Sequence, residues 1–148
     1  MMGMDILLVE DSSADAYLFK EVLTRKEYTP QIHWVIDGYR ALDYIFQRRE
    51  YQYAQRPDMI VLDLSLPRIT GYEVLKELKN NVDFATIPVI ILTTSRDPLD
   101  HTQCKALGAD MCLSKPHFIK EYEDMIQRLM EWAKLRVAET ADGKTSIH

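Results

Sequence analysis

Five polar side chains stand at the ends of short apolar runs. Glu10 and Asp11 follow Ile6-Leu7-Leu8-Val9. Asp63 follows Met59-Ile60-Val61-Leu62, Thr93 follows Val89-Ile90-Ile91-Leu92, and Lys115 follows Met111-Cys112-Leu113 after Ser114. If these runs are parallel strands of one sheet, their C-terminal ends share one edge, where such sheets bind ligands. Three carboxylates brought together repel unless a cation sits among them. Oxygen donors without Cys or His select a hard ion, and Mg²⁺ is the one that completes its shell with water and phosphate oxygens. The set reads as a Mg²⁺ site that awaits a phosphoryl group. Lys115 can pair with a carboxylate at rest and with a phosphoryl oxygen afterwards, and Thr93 offers a hydroxyl to the same group. A carboxylate can be the nucleophile, as in aspartyl-phosphate formation, and Asp63, alone at its strand end, is the candidate. Taken singly, each residue has a plainer use. An acid ahead of a helix commonly caps it, and Asp11 before Ser12-Ser13 could do only that. Their order and common edge favour chemistry.

The elements that position these groups follow from the pattern. Three of the runs are continuous rather than alternating, as strands buried on both faces are. The run Ile32-His33-Trp34-Val35-Ile36 admits polar His33 and reads as an edge. Between the runs lie helical spacings: Ala16, Phe19, Val22 and Leu23 after Ser12 or Ser13 as N-cap; Ala41, Leu42, Ile45 and Phe46; Val74, Leu75 and Leu78 after a start near Gly71. Asp97-Pro98 is an N-cap followed by proline at the first helical position, and Gly108 stops that helix. The last helix carries the longest stripe, Phe118, Tyr122, Met125, Ile126, Leu129, Met130, Ala133 and Val137. Five β–α pairs in order imply an α/β fold, a doubly wound parallel sheet with right-handed crossovers and helices on both faces. One domain is expected over 1–137, with a polar tail at 138–148. The stretch from Gln47 to Asp58, with Tyr51 and Tyr53, is a long connection that could serve contacts.

Composition narrows the function classes. The chain has 148 residues, of which 47% are apolar, enough for one packed domain. Its 18 basic residues against 23 acidic ones give a net charge of −5. That excludes a basic nucleic-acid-binding face and gives little pull toward anionic membranes. No apolar run approaches a membrane span and no signal peptide precedes the first strand. Two cysteines, Cys104 and Cys112, suit a reducing cytoplasm.

At these residues the chain resembles the receiver domain of two-component response regulators, of the kind typified by chemotaxis regulators. The motifs are Leu8-Val9-Glu10-Asp11, then Val61-Leu62-Asp63-Leu64-Ser65-Leu66-Pro67 with Gly71 following, then Pro88-Val89-Ile90-Ile91-Leu92-Thr93, and Lys115-Pro116. The resemblance implies a flavodoxin-like sheet of order 2-1-3-4-5 with an extended C-terminal helix. It implies phosphoryl transfer from a phosphohistidine of a sensor histidine kinase to Asp63. Mg²⁺ would be held by Asp11, Asp63 and the backbone carbonyl of Ser65, with Glu10 acting through water. Lys115 and Thr93 would hold phosphoryl oxygens, and the Lys115-Pro116 bond would be cis. Ser65 and Ser95 would flank the route of attacking water. The implied protein is a switch rather than an enzyme, catalysing only its own phosphorylation and slow dephosphorylation. With no room for an output domain after Val137, it is expected to act by changed protein contacts. The long second connection, Thr93-Thr94-Ser95 and the long last helix resemble regulators paired with bacterial phytochrome kinases, which implies a light-linked kinase and a homodimer.

One position departs from the family pattern. Cys112 stands where an aromatic usually swings inward on activation, so an aromatic swing there is excluded; a small buried hydrophobe is the expected role. A competing function is a pseudo-receiver, an adaptor that binds proteins without phosphorylation, but the intact acids with Asp63, Thr93 and Lys115 speak against it. A flavodoxin would need a phosphate loop where Glu10-Asp11 stands. A haloacid-dehalogenase-type phosphatase would want an acid at Ser65. Trp132 falls off the main stripe of the last helix, and two roles are open to it: packing under the tail, or an exposed dimer or kinase contact. The four histidines lack metal-ligand spacing, and Arg48, Arg49 and Arg56 read as solvated charges.

Overall fold

The computed structural model describes the backbone of residues 3–146 and, within it, the side chains of residues 3–136. The polar segment expected at 138–148 lies outside the residues described in full. The strands are β1 (Asp5–Val9), β2 (Gln31–Val35), β3 (Met59–Leu62), β4 (Val89–Thr93) and β5 (Met111–Ser114). Between and after them run α1 (Ser13–Arg25), α2 (Gly38–Ile45), α3 (Gly71–Lys79), α4 (Pro98–Ala106) and α5 (Ile119–Ser146). All strand pairs are parallel, in the order β2-β1-β3-β4-β5. This is the doubly wound, flavodoxin-like sheet expected from the sequence.

Burial follows the run patterns. Every residue of β3 and β4 is buried, while β5, at one edge, is half-buried throughout. Two apolar clusters lie on opposite faces of the sheet. One joins Leu7, Val9, Ile60, Leu62 and Ile91 to Ala41 and Leu42 of α2, Leu75 and Leu78 of α3, and Cys104 of α4. The other joins Ile6, Leu8, Val61, Ile90 and Leu92 to Phe19 and Val22 of α1 and to Ile126 and Leu129 of α5. Alternation along each strand therefore feeds both faces, the arrangement that makes parallel strands apolar throughout.

The helix starts are fixed by side-chain caps. Ser12 accepts from the Asp15 N–H, Asp37 from Arg40, Thr70 from Glu73 and Asp97 from Leu99. Satisfying these orphan donors pins the first turn of each helix beside a strand end. Gly108, with φ +107°, follows α4 in a backbone conformation that L side chains rarely adopt. Within the long second connection, Arg49–Tyr51 form a 3₁₀ turn. Arg48 and Arg49 both pair with Asp43, at 3.3 Å each, and stay exposed to solvent.

One expectation for the last helix is corrected. Phe118 is 70% exposed rather than part of the buried stripe. Its carbonyl accepts from the Tyr122 N–H at 3.1 Å, so it precedes the first helical residue and its side chain escapes the helical period. Trp132 is half-buried, packs against the second cluster and carries the Arg136 guanidinium 5.4 Å from its ring. The stripe from Tyr122 through Ala133 is buried as expected, and Val137 lies outside the residues whose side chains are described.

Candidate functional site

Strand order reverses between β1 and β3, so connections leave in opposite directions and a crevice opens at their C-terminal ends. Glu10 and Asp11 follow β1 there, and Asp63 follows β3. Register holds the two ends together: Val9 pairs with Leu62, and the Asp63 N–H donates to the Val9 carbonyl at 3.2 Å. The Glu10 backbone is fixed twice more. Its N–H donates to the Val35 carbonyl at 3.0 Å, and its own carbonyl accepts from the Trp34 indole N–H at 2.7 Å. The carboxylates of Glu10, Asp11 and Asp63 come within 4.8 Å of one another. Glu10 and Asp63 are buried; Asp11 is exposed. Glu10 Oε2 accepts from the Ser12 N–H at 3.0 Å, and Asp63 Oδ1 from the Ser65 N–H at 3.1 Å.

Gly71 sets the floor beside Asp63. Its N–H donates to the Leu64 carbonyl at 3.0 Å. A Cβ there would sit 2.8 Å from the Leu64 Cα and closer still to the Asp63 carbonyl oxygen. Only a residue without a side chain lets α3 start this near the end of β3.

Lys115 enters from the far side. Its N–H donates to the Thr93 carbonyl at 2.7 Å, and its own carbonyl accepts from Arg96 at 2.7 Å. The ammonium Nζ donates to Glu10 Oε1 at 2.7 Å, Asp15 Oδ2 at 2.8 Å and Asp63 Oδ2 at 3.3 Å. Burial alone would lower the lysine's pKa, but the Asp15 and Glu10 carboxylates, with Asp63, override it and hold the value above the ordinary one. Burial pushes Glu10 up to about 6, although the Lys115 hydrogen bond and the Ser12 N–H pull the other way. The pocket thus gathers the carboxylates of Glu10, Asp11, Asp15 and Asp63 around a single ammonium. Among the described residues, nothing hydrogen-bonds or pairs with the Asp11 carboxylate. An excess of hard oxygen donors with unspent charge fits a small divalent cation.

The structure brings Glu10, Asp11, Asp63 and Lys115 together at one edge of the sheet. Thr93 is completely buried at the end of β4, its hydroxyl accepting from the Ser95 N–H at 3.2 Å. Ser65 is exposed on the loop after Asp63. The Lys115-Pro116 bond is trans, against the expected cis, since no cis peptide bond occurs among the described residues. Even before proline, trans is the lower-energy form by about 0.5–1 kcal/mol. Cys112 is half-buried and packs against the first cluster beside Cys104. Burial pushes the Cys104 thiol up to about 12 and raises that of Cys112.

Two sets of residues were not legible. Asp15 is the first, one helical turn past Asp11 on α1. The second is a network on the α3–α4 side: Ser95 and the Tyr72 hydroxyl both donate to the Asp100 carboxylate, the latter at 2.5 Å. The Ser114 hydroxyl donates to the Ser95 carbonyl at 2.7 Å, and the His101 ring lies 3.0 Å from the Ser114 hydroxyl. The hydrogen bond to Asp100 and burial raise the Tyr72 pKa, burial first. His33 pairs with Asp5 at 2.9 Å and faces no metal-ligand set.

The site is thus an acid pocket at the switch point of a five-stranded doubly wound sheet, with a lysine reaching in from the end of the last strand. The sequence matches the response regulator receiver domain over residues 6–130, and the chain belongs to that family. It is 40% identical over 122 residues to response regulator Rcp1 of Synechocystis sp., covering 82% of this chain and 83% of that protein. The fold matches the crystal structure of the Mn²⁺-bound form of Rcp1 with a TM-score of 0.80, at 39% identity over 85% of this chain and 91% of that one. It matches the phosphorylated cyanobacterial phytochrome response regulator RcpA with a TM-score of 0.82, at 34% identity over 87% and 92%. Among the described residues no helix is long and apolar enough to cross a membrane.

Proposed function

We propose that this response regulator receives a phosphoryl group on Asp63 from a sensor histidine kinase, in a Mg²⁺-dependent reaction in the cytoplasm, and signals by changed protein contacts. The observation that carries the reading is the Asp63 carboxylate itself. It is buried, held on one oxygen by the Ser65 N–H and faced on the other by Lys115. It shares its pocket with Glu10 and Asp11, whose carboxylates lie within 4.8 Å of it, a cluster that a bound cation would stabilise. In the transfer an Asp63 oxygen forms the P–O bond as the P–N bond of the phosphohistidine breaks. The imidazole leaves with that electron pair, neutral because its other nitrogen carries a proton.

Mg²⁺ would be held by Asp11, Asp63 and the Ser65 carbonyl, with Glu10 acting through water, and supplies charge neutralisation to the phosphoryl oxygens. The protein's own groups position the rest. Among the described residues Lys115 is the one ammonium in the pocket, and the Thr93 hydroxyl lies at the same sheet edge to donate to a phosphoryl oxygen. The chain is a switch, and turnover is confined to its own phosphorylation and hydrolysis. The likeness to a phytochrome response regulator supports a phytochrome-type kinase as the donor, and the reading includes a homodimer as a working form. The complete acid set, with Lys115 in place, weighs against a pseudo-receiver adaptor.

The test is intact mass after incubation with acetyl phosphate, for wild type and Asp63→Asn, with Mg²⁺ or with a chelator. One added phosphoryl group in wild type with Mg²⁺ only is the expected result. An unmodified wild type that binds Mg²⁺ would sink the phosphoacceptor reading. For the donor, transfer from a phosphorylated phytochrome-type kinase should outpace transfer from an unrelated kinase, and the reverse ranking would refute that pairing.

A further inference from the structure

Lysine has three N–H donors, and Lys115 spends all of them on carboxylates: Glu10 at 2.7 Å, Asp15 at 2.8 Å and Asp63 at 3.3 Å. The contacts are unequal in length and in setting. The two short ones draw the ammonium away from Asp63, the residue read above as the phosphoacceptor. Glu10 and Asp63 have side chains 6% and 8% exposed, whereas Asp15 is 41% exposed. A buried carboxylate that loses its cation is stranded without solvent, which is strongly destabilising. An exposed one is taken up by water at little cost. Asp15 is therefore the one partner that can release the ammonium cheaply.

Its position is built in. Asp15 lies in the first turn of α1, where its N–H donates to the Ser12 hydroxyl at 3.2 Å. The helix is anchored by Ala16, Phe19, Val22 and Leu23, all buried. Lys115 also has room to shift. A cavity of about 270 Å³ opens beside it, between α1 and α5, with Asp15, Leu18 and Tyr122 among its walls.

We propose that Asp15 is a positioning residue, a counterweight that holds Lys115 toward the mouth of the pocket at rest and must yield it when a phosphoryl group forms on Asp63. The proposal rests on the phosphoacceptor reading of Asp63. In the unphosphorylated state Asp15 shares the ammonium with Glu10. In the phosphorylated state the new oxygens compete for it, and Asp15 turns to water. Removing the Asp15 charge removes the competitor. A plainer role, an acid favoured at a helix N-terminus, would affect helix stability and leave the lysine where it is.

The test uses beryllofluoride, which coordinates an aspartate carboxylate as a phosphoryl mimic, titrated into the full chain at saturating Mg²⁺. Asp15→Asn should bind it about fivefold more tightly than wild type, the equivalent of about 1 kcal/mol. Asp15→Glu, which keeps the charge, should stay within about twofold of wild type. A second readout needs no metal. The ¹⁵N-labelled side-chain ammonium of Lys115 should give an NMR signal protected from solvent exchange in wild type and shifted, with faster exchange, in Asp15→Asn. Unchanged or weaker beryllofluoride binding in Asp15→Asn would overturn the counterweight role, as would a Glu variant that behaves like the Asn variant. A wild type that binds Mg²⁺ but no beryllofluoride would overturn the reading of Asp63, and this proposal with it.

Discussion

Gly71→Ala should unfold the protein more easily and disarm Asp63 at the same time. In most helices such a change is neutral to favourable, since alanine is the better helix former by up to about 1 kcal/mol. Here the new methyl would sit 2.8 Å from the Leu64 Cα and closer to the Asp63 carbonyl oxygen. Both are backbone atoms of a loop tied to the end of β3, so no rotamer change can relieve the contact. Overpacking costs about 1–3 kcal/mol, and a backbone obstacle belongs at the upper end. Setting the helix gain against it leaves a net loss of about 2 kcal/mol. In urea, with an m-value of about 2 kcal/mol/M, the midpoint should fall by about 1 M with m unchanged. In a thermal melt the loss should appear as roughly 4–8 °C. Gly38→Ala is the comparison: its methyl would meet side chains rather than backbone, half-buried Ile69 at 2.5 Å and buried Val74 at 2.8 Å. Its loss should be smaller. Because the obstacle at Gly71 includes the Asp63 peptide, phosphorylation by acetyl phosphate should slow in Gly71→Ala even where the protein is fully folded. A Gly71→Ala variant as stable and as readily phosphorylated as wild type would refute the claim that this close approach positions the acceptor.

Asp11→Asn should weaken Mg²⁺ binding at least about tenfold, since charge count sets affinity in oxygen-donor sites. A titration followed through Trp34, whose indole donates to the Glu10 carbonyl, would read it. Phe19→Ala should cost about 3–5 kcal/mol in urea denaturation, because Phe19 is only 1% exposed under α1. Cys104, completely buried with its thiol pushed up to about 12, should be a poor nucleophile near neutral pH. A thiol reagent at pH 8 should modify it no faster than the protein unfolds, and rapid modification in the native state would contradict the packing between α4 and β5.

The inner strands were legible because both faces of each are covered, which writes them as unbroken apolar runs; β3 and β4 are the clearest cases. The helix starts were legible where a capping residue stands alone, as at Asp97-Pro98. The acids of the pocket were legible because they fall directly at strand ends, where chain direction alone fixes their edge. Asp15 was not, because an acid in the first turn of a helix is common and its partner lies 100 residues away. Tyr72 and Asp100 escaped for the same reason: their contact joins two helices across 28 residues, and no period connects them. Phe118 misled because helical spacing continues one step past the true start of α5, into the turn after Pro116. The geometry of the Lys115-Pro116 bond was carried by resemblance rather than by any residue, and there the expectation failed.

The central claim is that one carboxylate among several in the pocket takes the phosphoryl group. Reduction with borohydride converts an aspartyl phosphate to homoserine, which peptide mass spectrometry locates. After treatment with acetyl phosphate and Mg²⁺, homoserine should appear at position 63 and nowhere else. Homoserine at position 11 or 15, or at none of these positions in a protein that binds Mg²⁺, would contradict the account.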